Sequence, residues 1–122
     1  MTIKYYRDLE VWQIGMSVAQ SVYAISRRFP FHERLALGSQ MQRAAVSIPS
    51  NIAEGHSRAH LKEYLKHIGI AIGSLAELET QLELSVDLGY TSQTETEKLF
   101  SNLKLLGRKL YSLRDSLSEH LP

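Results

Sequence analysis

Leu99-Phe100-Ser101-Asn102-Leu103-Lys104-Leu105-Leu106-Gly107-Arg108-Lys109-Leu110-Tyr111-Ser112-Leu113-Arg114-Asp115-Ser116-Leu117 is the stretch on which the fold turns. Leucine stands at 99, 103, 106, 110, 113 and 117, in alternating steps of four and three. This spacing keeps the side chains on one stripe of an α-helix and is the pattern of a helix–helix seam. Phe100, Leu105 and Tyr111 lie off the stripe. Apolar residues away from the main stripe call for a second contact surface, on the bundle's own flank or on another subunit. The spacing predicts a helix from about Thr94 to His120. Ser92 with Glu95, or Thr94 with Glu97, has the spacing of a capping box at its start.

Upstream, Leu61, Leu65, Ile68, Ile72, Leu75, Leu78 and Leu82 also step by threes and fours, which predicts a helix from about Ser57 to Leu88. Gly89 stands just past it, where glycine accepts a left-handed backbone. Gly69 and Gly73 interrupt this helix. Each costs about 1 kcal/mol against alanine, so the close approach of another helix is the expected compensation. A second helix is expected from about Glu33 to Glu54, with a kink or break near Val46–Ile48 because Pro49 removes a backbone donor. Gly55 is expected to close that segment. A first helix is expected from about Asp8 to Arg28, with Asp8 as N-cap. On it, Leu9, Trp12, Met16, Ala19 and Tyr23 form one apolar line, and Val11, Val18, Val22 and Ile25 a second. Nothing reads as a strand. The expected architecture is all-α: a single domain over residues 1–122, folded as an up-and-down antiparallel four-helix bundle.

Hydrophobic residues make up 43% of the chain and charged residues 22%, ordinary globular proportions. Cysteine is absent, which excludes disulfides and thiolate metal sites. The first residues carry no apolar signal region, and no apolar run is long enough to span a bilayer. A cytoplasmic location with no membrane partner is therefore expected. Net charge is only +1, yet it is unevenly distributed. Arg27 to Lys66 holds seven Lys or Arg against three Asp or Glu, whereas His67 to Glu97 has no Lys or Arg and six acidic residues. The basic residues Arg27, Arg28, Arg34, Arg58, Lys62 and Lys66 are the candidate contacts for RNA or DNA. An ordinary solvated surface is the competing reading, and a pI near 8.0 is low for a dedicated nucleic-acid module.

Gln40, Arg43, Ser47, Asn51 and Glu54 share one helical stripe beside the small residues of the second helix. Short polar side chains of this kind point to a partly buried, hydrogen-bonded contact, within the chain or across subunits, rather than to a solvated face. His56, His60, Glu63 and His67 could share a face, but a bundle metal site needs ligands from facing helices, so no metal and no cofactor are expected. Arg114 with His120, and Arg27 with His32, have spacings like those of helical ribonucleases, outside any cleft pattern. Nucleophile elbows, phosphate-cradling glycine loops and paired catalytic carboxylates are missing, so no enzyme is expected.

Several motifs carry a resemblance: Asp8-Leu9-Glu10-Val11-Trp12, Phe29-Pro30 with Glu33-Arg34, the whole run Gln40 to Gly55, Ala71 to Leu78, and Asp87-Leu88-Gly89-Tyr90. Together they resemble the bacterial four-helix-bundle proteins encoded in intervening sequences of large-subunit ribosomal RNA genes. The resemblance covers nearly the whole chain. It implies an up-and-down bundle assembled as a homopentameric ring, with no enzymatic activity. It extends to the accessory protein of diversity-generating retroelements, which binds nucleic acid and partners a reverse transcriptase. Gln42 and Ile72 stand where the family often has a basic residue. The expected function is that of a non-enzymatic, self-associating, nucleic-acid-associated accessory factor. The alternative is a scaffold that contacts only partner proteins.

Overall fold

The computed structural model describes residues 5–122. After a single 3-10 turn at Tyr6–Asp8 come α1 (Glu10–Ser26), the one-turn α2 (Phe31–Arg34), α3 (Leu37–Ser57), α4 (Leu61–Asp87) and α5 (Gln93–Ser118). The four long helices form the expected antiparallel bundle, and no strand occurs among the described residues. Around the bundle, α1 packs on α3 and α5, and α4 packs on α3 and α5. Each helix thus has two neighbours and one solvent-facing side.

The leucine stripe forms the core as expected. Leu99, Leu103, Leu106 and Leu110 of α5 are buried, while Leu113 and Leu117 pack at its edge. From α4 come Ile68, Ala71, Leu75, Leu78 and Leu82, and from α3 Met41, Ala44, Ala45, Ile48 and Ile52. On α1 the buried line is Val11, Gly15, Val18, Val22 and Ile25. Of the other apolar line only Leu9, just ahead of α1, is core. Trp12 and Ala19 are half-buried, and Met16 and Tyr23 each keep 37% exposure.

Helix ends depart from expectation where the backbone found other solutions. Asp8 does not cap α1. It lies in the 3-10 turn, Leu9 takes the N-cap position without a side-chain bond, and Gln13 Nε2 donates back to Arg7 O at 2.9 Å. The second helix is divided at Leu35–Ala36, so that its first turn is the separate α2. Ser92 is the α5 cap: its Oγ accepts from Glu95 N at 3.1 Å and donates to Glu95 Oε1 at 3.3 Å. Gly89 ends α4 at φ +79°. Tyr90 N donates to Ser85 O and Gly89 N to Val86 O, the paired closure that a left-handed glycine permits.

Pro49 does not break its helix. α3 runs unbroken from Leu37 to Ser57, and Pro49 is buried against α1. A Cβ on Gly15 would meet the Pro49 ring at 3.5 Å, an ordinary van der Waals contact, so α1 lies directly against the proline there. The glycines that admit a neighbour are also not those expected. Gly69 and Gly73 have nothing within 4 Å of a built Cβ and face solvent. Gly55, expected as a stop, lies inside α3 and is buried. Its Cβ would fall 2.6 Å from His67 Cβ, because α3 and α4 touch there.

A polar chain between two helices and a divided basic surface

The polar stripe of α3 divides into a bonded part and a free part. At its centre, Asn51 Nδ2 donates to Ser47 O at 2.8 Å and to Ser47 Oγ at 3.0 Å. That leaves Asn51 Oδ1 as an acceptor, 2.9 Å from His67 Nδ1 on α4, so this ring nitrogen carries the proton. Ser74 Oγ, also on α4, donates to Ser47 Oγ at 2.9 Å. Beyond His67, the Glu54 carboxylate lies 3.7 Å from Nε2 and pairs with Arg58 at 2.9 Å. One chain of polar contacts thus runs Ser74–Ser47–Asn51–His67–Glu54–Arg58 along the α3–α4 boundary. Gln40 and Arg43, the other stripe members, are exposed.

Sequence reasoning placed Ser47, Asn51 and Glu54 together but missed Ser74 and His67. The only available signal was the closeness of Gly55, since a glycine inside a polar helical stripe marks where the neighbouring backbone comes near. Asn51→Ala would strip His67 Nδ1–H of its acceptor inside a buried seam. We expect a loss of about 1–3 kcal/mol, the cost of an unsatisfied buried group, read as a lower urea midpoint at unchanged slope.

The histidine face proposed from spacing does not form. α3 ends at Ser57 and α4 begins at Leu61, so His56 and His67 belong to different helices and His60 lies at the α4 N-cap. His56 meets the edge of Tyr64 at 5.6 Å, and His67 is held by Asn51. Among the described residues, no group of three or more His, Asp or Glu side chains could hold a metal ion.

Tyr64 is pressed between His56 and the α3 backbone near Gly55, and burial pushes its phenol up to about 12. The protonated phenol is the form the fold favours. Its contribution is therefore complete below pH 10, the ordinary tyrosine value, and is lost as pH rises through about 12. Absorbance titration of the six tyrosines should show late ionisation at Tyr64 and also at Tyr90, whose phenol is pushed up by its hydrogen bond to Glu33, and Tyr64→Phe should remove the step near pH 12. A Tyr64→Phe curve that keeps the wild-type amplitude near pH 12 would assign that step elsewhere.

The six candidate basic residues fall into two groups. Arg27, Arg28 and Arg34 gather where α1 ends and α3 begins. Arg58, Lys62 and Lys66 gather at the α3–α4 connection, the other end of the bundle. The 21 residues of α3 separate the groups by ~30 Å at 1.5 Å per residue. Several are engaged within the chain. Arg28 pairs with Glu95 at 3.2 Å, Arg34 Nε donates to Phe29 O at 2.9 Å, and Arg58 pairs with Glu54. Arg27, Lys62 and Lys66 are exposed, without an ion pair among the described residues. Gln42 Nε2 donates to Ser26 Oγ at 2.9 Å, binding α3 to α1, while Ile72 packs against the core. Both positions thus serve packing here. Of the arginine–histidine pairs, Arg114 lies over the Tyr111 ring at 4.7 Å, and His120 is exposed beyond the end of α5.

Among the described residues, no helix is long and apolar enough to cross a membrane. Residues 7–112 match the family described as 23S rRNA-intervening sequence protein. The chain belongs to that family. The match spans all four long helices as far as Ser112, including the Gln40–Gly55 run that forms the polar chain. A comparison with curated proteins finds no match.

Proposed function

We propose that this member of the 23S rRNA-intervening sequence protein family is a non-enzymatic accessory factor. It self-associates as a homopentameric ring and contacts structured RNA through its bundle ends. The single observation that carries the reading is the family match over residues 7–112. Two features of the chain support it. Ser47 and Asn51 of the family motif are engaged in helix packing, with Ser74 and His67 of α4, which fits a structural role for them better than a catalytic one. The exposed Arg27, Lys62 and Lys66 stand at the two ends of the bundle, where a ring would repeat each group and multiply a weak attraction through avidity.

Counterion release makes such binding fall steeply with salt, and each lost phosphate contact lowers the slope by about 1. The test is a salt titration of the assembled protein against structured RNA, single-stranded DNA and duplex DNA. We expect binding to RNA that weakens with salt, and a shallower slope for Lys62→Ala with Lys66→Ala. A dissociation constant weaker than about 0.1 mM near physiological salt, the weak limit of non-specific binders, would favour a scaffold that contacts only proteins. Binding unchanged by the double variant would remove these lysines from the contact. Base-specific reading is not expected, because of the aromatic residues among these charges Phe29 is buried and Tyr64 packs against the core, which leaves Phe31 alone as an exposed stacking platform.

A further inference from the structure

α4 and the α1–α3 face each carry a surface that the chain itself leaves uncovered. Between α1 and α3 lies an open groove of about 510 Å³, walled by Trp12, Met16, Tyr23, Val46 and Pro49. Arg27 lines one end of it, and Arg43 lines the adjoining depression that shares Tyr23 and Val46. On α4, the residues Gly69, Gly73, Ala76, Thr80, Glu83 and Asp87 recur in alternating steps of four and three. All six are exposed. They form a second seam, on the side away from the core, with small residues at one end and carboxylates at the other. Among the described residues, neither Arg27 nor Arg43, and neither Glu83 nor Asp87, makes an ion pair.

The two surfaces match level by level along the bundle. Gly15 of α1 lies against Ile48 and Pro49 of α3, and Ser47 bonds to Ser74 of α4. The bulky walls Trp12 and Met16 are therefore at the height of Gly69 and Gly73. Toward the other end, Ser26 bonds to Gln42 and Met41 meets Ser85. Arg27 and Arg43 are therefore at the height of Glu83 and Asp87. Large apolar faces small, and basic faces acidic, once two copies stand side by side with parallel axes. α1 and α4 are diagonal in the bundle, so the two surfaces point in different directions. Contact through them is head to tail, and such a contact closes a ring when its rotation permits.

We infer that the α1–α3 groove receives the outer stripe of α4 from a second copy of this chain, with Arg27 and Arg43 meeting Glu83 and Asp87. This rests on the proposed self-association and specifies the surfaces that make it. It also gives Gly69 and Gly73 the close neighbour that the single chain lacks.

The test is complementation between two exposed-surface variants, read by light scattering at micromolar concentration. The groove variant is Met16→Glu with Arg43→Glu. The stripe variant is Ala76→Arg with Glu83→Arg. Circular dichroism establishes that each keeps its helix content. The wild type should give a mass several times 13.8 kDa. Each variant alone should fall to the single-chain mass, and mixing the two should restore association, because each supplies the intact surface the other lacks. A stripe variant that keeps the wild-type mass would overturn the inference while leaving self-association standing. Mixing that fails to restore association would overturn it as well. A wild type at the single-chain mass would remove self-association itself.

Discussion

Gly55→Ala should destabilise the bundle by about 1–3 kcal/mol, the usual cost of overpacking a tight core. The sign is opposite to that expected for an isolated helix, where replacing glycine by alanine gains about 1 kcal/mol. The reason is the 2.6 Å between the added Cβ and His67 Cβ. Neither atom is the end of a flexible side chain, so α3 and α4 must move apart. That separation also lengthens the His67–Asn51 contact, and the two effects act together. Urea unfolding followed by circular dichroism would measure it. A Gly55→Ala protein as stable as wild type would show that the two helices can separate without cost.

Leu106→Ala should have a larger effect, about 2–5 kcal/mol, the range for truncating a buried leucine. Leu106 has no exposed surface and lies in the middle of the α5 stripe, where it packs within the common core. The spread in that range reflects how far a site can collapse onto its cavity. Long helices held on both sides by neighbours leave little room to collapse, which favours the upper half. A loss below about 1 kcal/mol would mean that α5 is not packed as the stripe requires. Comparison with Leu117→Ala, at the half-buried end of the same stripe, gives an internal control with a smaller expected loss.

The bundle was legible because its core residues repeat. Leu99 to Leu110 and Ile68 to Leu82 show the period of a helix in the sequence itself, and period is what determines which side is buried. The capping box at Ser92 was readable for the same reason, since its chemistry is local. Reading failed where a residue's role depended on which helix lay opposite. Gly55, Gly69 and Gly73 are alike in sequence, and only packing separates the one that meets His67 from the two that meet solvent. On α1 two apolar lines were visible. That the valines, rather than Trp12 and Met16, face the core depends on how α1 is turned where Gly15 lies against Pro49 of α3. The same limit applies to the site. Ser47, Asn51 and Glu54 could be grouped from one helix's period, but Ser74 and His67 lie on another helix, and no spacing rule connects the two.

The polar chain along α3 and α4 bears on which alignment of the two helices is adopted. On α4, Ile68, Leu75 and Leu82 are spaced by seven residues, as are Ala71 and Leu78. Sliding α4 by one such repeat, ~10 Å at 1.5 Å per residue, would set aliphatic side chains into aliphatic sites again. Oil-like contacts alone would therefore distinguish poorly between neighbouring alignments. His67 and Ser74 are also seven apart, so the same slide sets one in the place of the other. Ser74 is too short to reach Asn51 Oδ1 as His67 Nδ1 does at 2.9 Å, and His67 is too large for the gap in which Ser74 meets Ser47. Each buried group left without its partner costs about 1–3 kcal/mol. The hydrogen bonds thus act chiefly as an index mark: they add modest stability to the correct alignment and exclude its near neighbours.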